Sequence, residues 1–228
     1  KTILYGFDDQ NDYVVDNYKT SSFSSEFTLT NDEGVTSSFS LNLPGKHNVL
    51  NATAASVLAI EEGISLINIQ TALSKFSGIS RRMQFLGKLG QTVVIDDYGH
   101  HPTEIKNTIL TLRESFPKSE ISMVFQPHRF TRTKDLYEGF VEVLKSVDRL
   151  ILLEIYSAGE EPIDGISSTS LLESIKNTGL EKALLAKSNT EAYELIENMI
   201  SKEKGVLLMQ GAGNISEISA KLTKKIEK

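Results

Sequence analysis

The residues best suited to chemistry in this chain sit in three short runs. The first is Asp96-Asp97-Tyr98-Gly99-His100-His101-Pro102-Thr103-Glu104, with two carboxylates and two imidazoles in quick succession. Groups of these types can hydrogen-bond a polar ligand or exchange protons with it. Pro102 and Glu104 have plainer explanations, since proline suits the first turn of a helix and glutamate its positive end. A cap formed by Asp97 or His101 would account for one more residue and leave the others facing solvent. Two adjacent histidines in a strand-to-helix turn are poorly placed to chelate one ion, so no metal site is expected there.

The second run is Gln126-Pro127-His128-Arg129-Phe130-Thr131-Arg132-Thr133. Arg129 and Arg132 are three apart and share a face if a helix begins early. Guanidinium groups grip phosphates and carboxylates through paired N–H bonds. A helix N-terminus favours anions and disfavours bare cations, so either a bound anion or Asp135 must balance the two arginines. The third run is Gln210-Gly211-Ala212-Gly213-Asn214. Its small residues permit either a ligand's close approach or a tight packing turn. Ser216 stands where a dinucleotide fingerprint needs its third small residue. Glu160 either binds an amine or sits on a solvated loop. Upstream, His47, Asn48 and Asn51 lie at a helix start, where amides could read a purine edge or Asn48 could simply cap the helix. Gly45-Lys46 lacks the flanking residues of a phosphate-binding P-loop, and no other segment supplies one.

Placing such runs requires strands that end where helices begin. Strands fit 92–96, 121–125, 150–155 and 206–210, with a weaker one at 183–187. Helices fit 102–116, 133–145, 169–176, 190–200 and 215–226. Ile105, Ile109, Leu112 and Phe116 form a helical stripe in the first of these, and Leu136, Phe140 and Leu144 form one in the second. Val93-Val94-Ile95 is apolar on both faces, as buried parallel strands are. The alternation predicts a parallel sheet covered by helices, with ligands at the carboxyl ends of its strands. All three runs fall at such ends. The first forty residues read differently, as strands over 2–6, 23–30 and 35–43. A polar loop covers 8–12, and a hairpin turn is expected at Asn31-Asp32-Glu33-Gly34. Helices over 49–62 and 66–76 follow, the first stopping at Gly63. A domain boundary is expected near Ser80, separating 1–79 from 80–228.

Composition narrows the classes. Hydrophobic residues are 39% and charged residues 24%, which excludes a disordered chain. Lys and Arg total 24 against 30 Asp and Glu, a net charge of −6 that argues against bulk nucleic-acid binding. Without cysteine there is no disulfide framework, thiolate nucleophile or cysteine metal site, which fits a reducing cytoplasm. No apolar run approaches the roughly 20 residues of a membrane helix. The first residues show no signal-peptide pattern, and no 20–50-residue repeat is present. A cytoplasmic protein with neither membrane nor nucleic-acid partners is expected.

Five strings in order carry a family resemblance: Leu43–Asn51, Arg81-Arg82-Met83-Gln84, Asp96–Glu104, Phe125–Thr133 and Gln210–Asn214. Together they resemble the Mur ligases of peptidoglycan synthesis. The third and fourth are the specific ones, and they match the members that join L-alanine to UDP-N-acetylmuramate. The resemblance implies an α/β fold. In it, 1–79 is the last portion of a central ATPase domain and 80–228 a Rossmann-like, mainly parallel C-terminal domain. The family's UDP-sugar domain and P-loop have no counterpart in this chain, which is therefore expected to be inactive alone. The implied reaction uses ATP and Mg²⁺, with the Mg²⁺ ligands outside this chain. UDP-N-acetylmuramate is phosphorylated on its carboxylate, and the amine of L-alanine attacks the acyl phosphate.

The resemblance also implies roles. His47, Asn48 and Asn51 match positions around the adenine. Arg81, in preference to Arg82, matches a hinge arginine that reaches the nucleotide, and Asp97 matches a carboxylate at the ribose. His100, Arg129 and Arg132 match residues at the muramoyl and alanyl end, with Tyr98 and His128 beside them. Phe130 stands where the family often has Tyr. Closure of the C-terminal domain over ATP would exclude water from the acyl phosphate. Apolar surface left where the rest of the central domain belongs offers a route to a homodimer. The alternatives are a family member that recycles murein tripeptide and a non-catalytic binding module.

Overall fold

The computed structural model describes residues 2–200 and 204–227. The chain divides into two compact units, Lys1–Gly78 with Leu110–Pro117, and Ile79–Ile109 with Lys118–Lys228.

The first unit carries strands β1 (Tyr5–Gly6), β2 (Tyr13–Thr20), β3 (Ser25–Asn31) and β4 (Thr36–Leu41), then helices α1 (Lys46–Glu61) and α2 (Leu66–Lys75). The strands form one sheet in that order, with β1 and β2 parallel and the rest antiparallel. The expected hairpin joins β3 to β4, and Asn31 Oδ1 accepts from Val35 N at 2.8 Å. Phe27 and Phe39 lie opposite one another and stack at 5.4 Å. With Val15, Leu29, Leu41 and Val49 they form a buried core. The alternation of inward and outward residues therefore sets the register.

Two expectations fail in this unit. β2 is a strand that the pattern did not predict. Its register shifts between Asp16 and Lys19, and Asn17 sits at φ 52°. Such a bulge breaks the period-2 alternation that marks a strand. α1 begins at Lys46 rather than at 49, and its N-cap is Gly45 at φ 100°, not Asn48. Asn48 lies in the first turn and donates through Nδ2 to Pro44 O at 2.8 Å.

The second unit carries strands β5 (Gln84–Leu89), β6 (Thr92–Asp97), β7 (Glu120–Phe125), β8 (Arg149–Leu153), β9 (Ala183–Ala186) and β10 (Gly205–Gln210). Its helices are α3 (Pro102–Ser115), α4 (Phe130–Asp135), α5 (Tyr137–Leu144), α6 (Ser168–Asn177), α7 (Asn189–Met199) and α8 (Ile215–Ile226). The sheet order is β5-β6-β10-β7-β8-β9, and every pair is parallel except β5 with β6. β5 also escaped the sequence pattern. A register shift between Phe85 and Gly87 interrupts its alternation, and Gly87 takes φ 132°. The helix expected over 133–145 is two helices. Leu136 breaks it at φ −116° and ψ 22°.

The core is built as two apolar faces on this sheet. Val94, Val124, Ile151 and Leu207 pack with Ile196, Ile215, Ile218 and Leu222 from α7 and α8. Phe125 and Phe140 are both fully buried, with ring centroids 5.7 Å apart. β10 returns between β6 and β7, so the carboxyl ends of these three strands lie side by side where the strand order reverses. Among the described residues no helix is long and apolar enough to cross a membrane. Ile151 is fully buried in the apolar face against α7 and α8. Ile151→Ala should lower the unfolding free energy by about 2–5 kcal/mol, read from urea melts.

Candidate functional site at the carboxyl ends of β6, β10 and β7

Each of the three strands ends in a polar residue, and these residues bind one another. Asp97, at the end of β6, is 5% exposed. Its Oδ2 accepts from Met83 N at 2.9 Å, and its Oδ1 accepts from Gly99 N at 2.9 Å and Gln210 Nε2 at 2.6 Å. The Thr108 hydroxyl shares its proton between Glu104 O at 3.1 Å and Asp97 Oδ1 at 3.4 Å. Gln210 also donates to Gly99 O at 3.0 Å. Gln126, at the end of β7, accepts from Ile215 N at 2.9 Å and donates to Asn214 Oδ1 at 2.7 Å. That pairing fixes the turn from β10 into α8. A Cβ at Gly213 would collide with Gln126 Oε1 and Tyr156, so the small residue there is a packing requirement.

The connecting turn before β5 brings two arginines to the rim. Arg81 Nη2 donates to Gly211 O at 2.6 Å, Nε lies 3.4 Å from Asp96 Oδ2, and the guanidinium lies 5.2 Å from the Tyr98 ring centre. Arg82 lies 5.6 Å from the same ring on a side chain 51% exposed, and pairs with Glu104 at 3.9 Å. Burial pushes the Asp96 carboxyl upward, and Arg81 opposes that shift. Burial also acts upward on Glu104. The backbone N–H groups of His100 and His101 and the charges of His100 and Arg82 outweigh it and hold the group below its ordinary range.

The second half of the site follows β7. His128 and Tyr156 form a parallel bridge and their rings stack at 5.6 Å. His100 lies 5.4 Å from His128 and 5.5 Å from Tyr98, so the four rings form a row. Arg132 Nη1 lies 3.2 Å from His128 Nδ1. Guanidinium only donates, so Nδ1 is the acceptor and Nε2 carries the proton. Burial lowers the His128 pKa, and His100, Arg132 and Arg129 lower it further, while Glu160 acts the other way. Arg129 takes φ 73° and its side chain is 50% exposed. Glu160 accepts from Thr131 N at 3.0 Å and Thr131 Oγ1 at 2.7 Å, and lies 3.9 Å from Arg129. The hydrogen bonds from Thr131 hold its carboxyl below the ordinary range. Glu160 thus ties down the first turn of α4 and is the carboxylate paired with Arg129, where a counter-ion was expected from Asp135.

Comparison with known proteins gives this arrangement a family. Residues 81–213 match the Mur ligase, glutamate ligase domain, and residues 1–59 match the Mur ligase middle domain. This chain belongs to the Mur ligase family. Among solved structures it is similar to a UDP-N-acetylmuramate-alanine ligase from Thermotoga maritima, at 26% identity and TM-score 0.82 over 99% of this chain and 48% of that one. It is similar in fold to MurF from Acinetobacter baumannii, at 20% identity and TM-score 0.74, covering 97% of this chain and 46% of that one. A murein peptide ligase from Psychrobacter arcticus gives 21% identity and TM-score 0.65, covering 98% and 46%. The chain therefore spans about half the length of the structures it matches. The fold is the mixed α/β architecture of the family, a mostly parallel C-terminal sheet preceded by a middle-domain segment.

Within this Mur ligase unit the structure brings His100, Tyr98, His128, Arg129 and Arg132 together at the ends of β6 and β7. Asp97, expected at the ribose, is buried, and both of its oxygens accept hydrogen bonds within the protein. Of the two arginines, Arg81 contacts Asp96, Gly211 and Tyr98, and Arg82 is the more exposed. In the first unit, Asn48 is tied to Pro44 and Asn51 is exposed on α1. Gln126 and Gln210 carried no expected role. Their signal was a buried apolar strand ending in an amide, which must find internal partners.

Two measurements test this geometry. Asp97→Asn puts an NH₂ against backbone or Gln210 donors, and should destabilise the fold by roughly 3 kcal/mol in urea melts. In an NMR titration His128 should protonate below the ordinary imidazole value, and Arg129→Met should raise its midpoint. The folded state then binds fewer protons than the unfolded chain. The stability from His128 is complete above the unfolded imidazole's titration and is lost as pH falls from there through the lower folded value.

Proposed function

We propose that this chain is the nucleotide- and acceptor-side portion of an ATP-dependent ligase that joins L-alanine to UDP-N-acetylmuramate. One observation carries the reading: two arginines and two imidazoles converge at the ends of β6 and β7, with Glu160 the carboxylate paired to Arg129. Such a field suits a phosphorylated carboxylate. The similarity to a UDP-N-acetylmuramate-alanine ligase supports the choice of substrates.

The γ-phosphoryl group of ATP passes to the muramate carboxylate, giving an acyl phosphate and ADP. The amine of L-alanine attacks the acyl carbon, the C–O bond to phosphate breaks, and the amine proton leaves. Arg129 and Arg132 neutralise the phosphate and the oxyanion of the tetrahedral intermediate. His128, neutral with its proton on Nε2, is a donor toward the same charge. His100 lies beside it to take the amine proton. On the nucleotide side, Arg82 is the exposed cation, and His47 and Asn51 remain the adenine candidates on α1. Asp97 holds the scaffold. Among the described residues no group of three or more His, Cys, Asp or Glu side chains is arranged to hold a metal ion. On this reading the Mg²⁺ ligands lie outside this chain, and no step here is routed through the ion. The reading also places the protein in the cytoplasm, where these nucleotide substrates reside.

The test is phosphate release by the full-length protein supplied with ATP, Mg²⁺ and UDP-N-acetylmuramate. Release that requires L-alanine supports the reading, and release only with murein tripeptide moves it to the recycling ligase. Folded protein silent with both acceptors favours a binding module. In the active enzyme, Arg132→Ala should lower kcat/KM by about 100-fold or more with little change in Tm. Parallel losses of activity and Tm would remove its role at the reacting centre.

A further inference from the structure

The turn that leads into the second unit is strained and held from several sides. Arg81 and Met83 are both non-glycine residues at positive φ, 59° and 48°. Such residues cost of order 1–3 kcal/mol each and persist where the surroundings over-determine them. Here Arg81 O accepts from Tyr98 N at 2.6 Å, Arg81 N donates to Gln84 Oε1 at 2.8 Å, and Met83 N donates to Asp97. The Arg81 guanidinium reaches two further segments, Asp96 on β6 and Gly211 O beyond β10.

Asp96 is an unexpected partner. It is 3% exposed, and its Oδ1 has no partner at full hydrogen-bond geometry among the described residues, with the Ser219 side chain its other polar neighbour. An under-satisfied buried carboxylate is a poor source of stability, and an apolar pair of similar size would serve the core as well. What the charge supplies is direction. It fixes one edge of the Arg81 fork, while Gly211 O fixes another. The Tyr98 ring then lies against both guanidinium groups, that of Arg81 at 5.2 Å and that of Arg82 at 5.6 Å.

We propose that Asp96 and Arg81 are a positioning pair that never touches the ligand but sets Arg82 and Tyr98 toward the nucleotide. The kinetic part rests on the ligase reading above. The pair would couple the turn at 80–84 to the turn at 211–214, so that the nucleotide-side cation and the floor of the site move as one piece.

The experiment compares Asp96→Asn, Arg81→Met and their double variant, with Arg81→Lys as a gentler change that keeps the charge and loses the fork. In the full-length enzyme each single variant should raise KM for ATP by about tenfold with kcat nearly unchanged, the signature of lost binding geometry. The double variant should be no worse than either single, because the residues act as one unit. Unchanged KM, or penalties that add, overturns the proposal. If Asp96→Asn does not fold, Arg81→Lys at native Tm decides by the same KM criterion. If the wild-type enzyme releases no phosphate with any acceptor, the ligase reading fails, and hydrogen exchange on the chain decides the pair. Joint loss of protection at 80–84 and 211–214, with α6 and β9 unchanged, supports it. Loss at one segment alone, or at neither, overturns it.

Discussion

A single buried carboxylate organises the second unit. Taking Asp97 out of water is expensive, on the order of several kcal/mol before compensation. The compensation comes from donors on the 80–84 turn, the 98–101 loop and β10, with Thr108 adding a shared proton. These segments are far apart in sequence and must arrive together for the charge to be satisfied. The close approach also fixes a residue type. A Cβ at Gly99 would lie 2.5 Å from Gln210 Nε2 and 2.7 Å from Asp97 Oδ1. Gly99 is therefore a demand of the carboxylate, and the loop carrying Tyr98 and His100 takes its path from that demand.

Around this point the site divides by charge. The β6 side is rich in acceptors, with Asp96, Asp97 and Glu104, and their partners include backbone N–H groups, the Gln210 amide, Arg81 and Arg82. The β7 side is rich in donors, with Arg129, Arg132 and the Nε2–H of His128. The two halves meet where His100 and His128 lie 5.4 Å apart. Burial, with the charges of His100, Arg132 and Arg129, lowers the His128 pKa, and the neutral ring this favours lets Nδ1 accept from Arg132. That bond in turn directs the guanidinium. An anionic ligand would relieve the repulsion among these groups, so the field favours its binding and the buried acceptors keep the walls in place.

Much of this was legible from the sequence where one physical rule governed a segment. Val93–Ile95 and Leu150–Leu153 had to be buried parallel strands because both faces are apolar. Pro102 began α3 as its missing N–H predicts. The polar runs stood out because they end apolar strands. The failures share a cause. β2 and β5 each carry a bulge, at Asn17 and near Gly87, and one extra residue turns alternation into noise. α4 and α5 read as one helix because the apolar stripe through Phe140 and Leu144 continues across the break at Leu136. The resemblance sets Asp97 and Arg81 at the nucleotide, but a match of motifs does not show which internal hydrogen bonds those groups already make. Glu160's bond to Thr131 joins residues 29 apart in sequence, and no local rule reaches that far.

The division between satisfied and unsatisfied polar groups separates what makes the fold from what reads a ligand. Asp97, Gln126 and Gln210 are each at most 5% exposed, and their hydrogen bonds hold strand ends and turns. Arg82 and Arg129 are half exposed and form long ion pairs of 3.9 Å, with Arg82 also against the Tyr98 ring. Tyr98 and Tyr156 are likewise open to solvent. A UDP-N-acetylmuramate-alanine ligase and a murein peptide ligase share this fold at 26% and 21% identity. The buried network needs only to present strand ends at fixed spacing, which suits any of them. The exposed side chains on the rim take no part in these buried bonds. Those groups can change without breaking a buried hydrogen bond, whereas a change at Asp97 disturbs three segments at once.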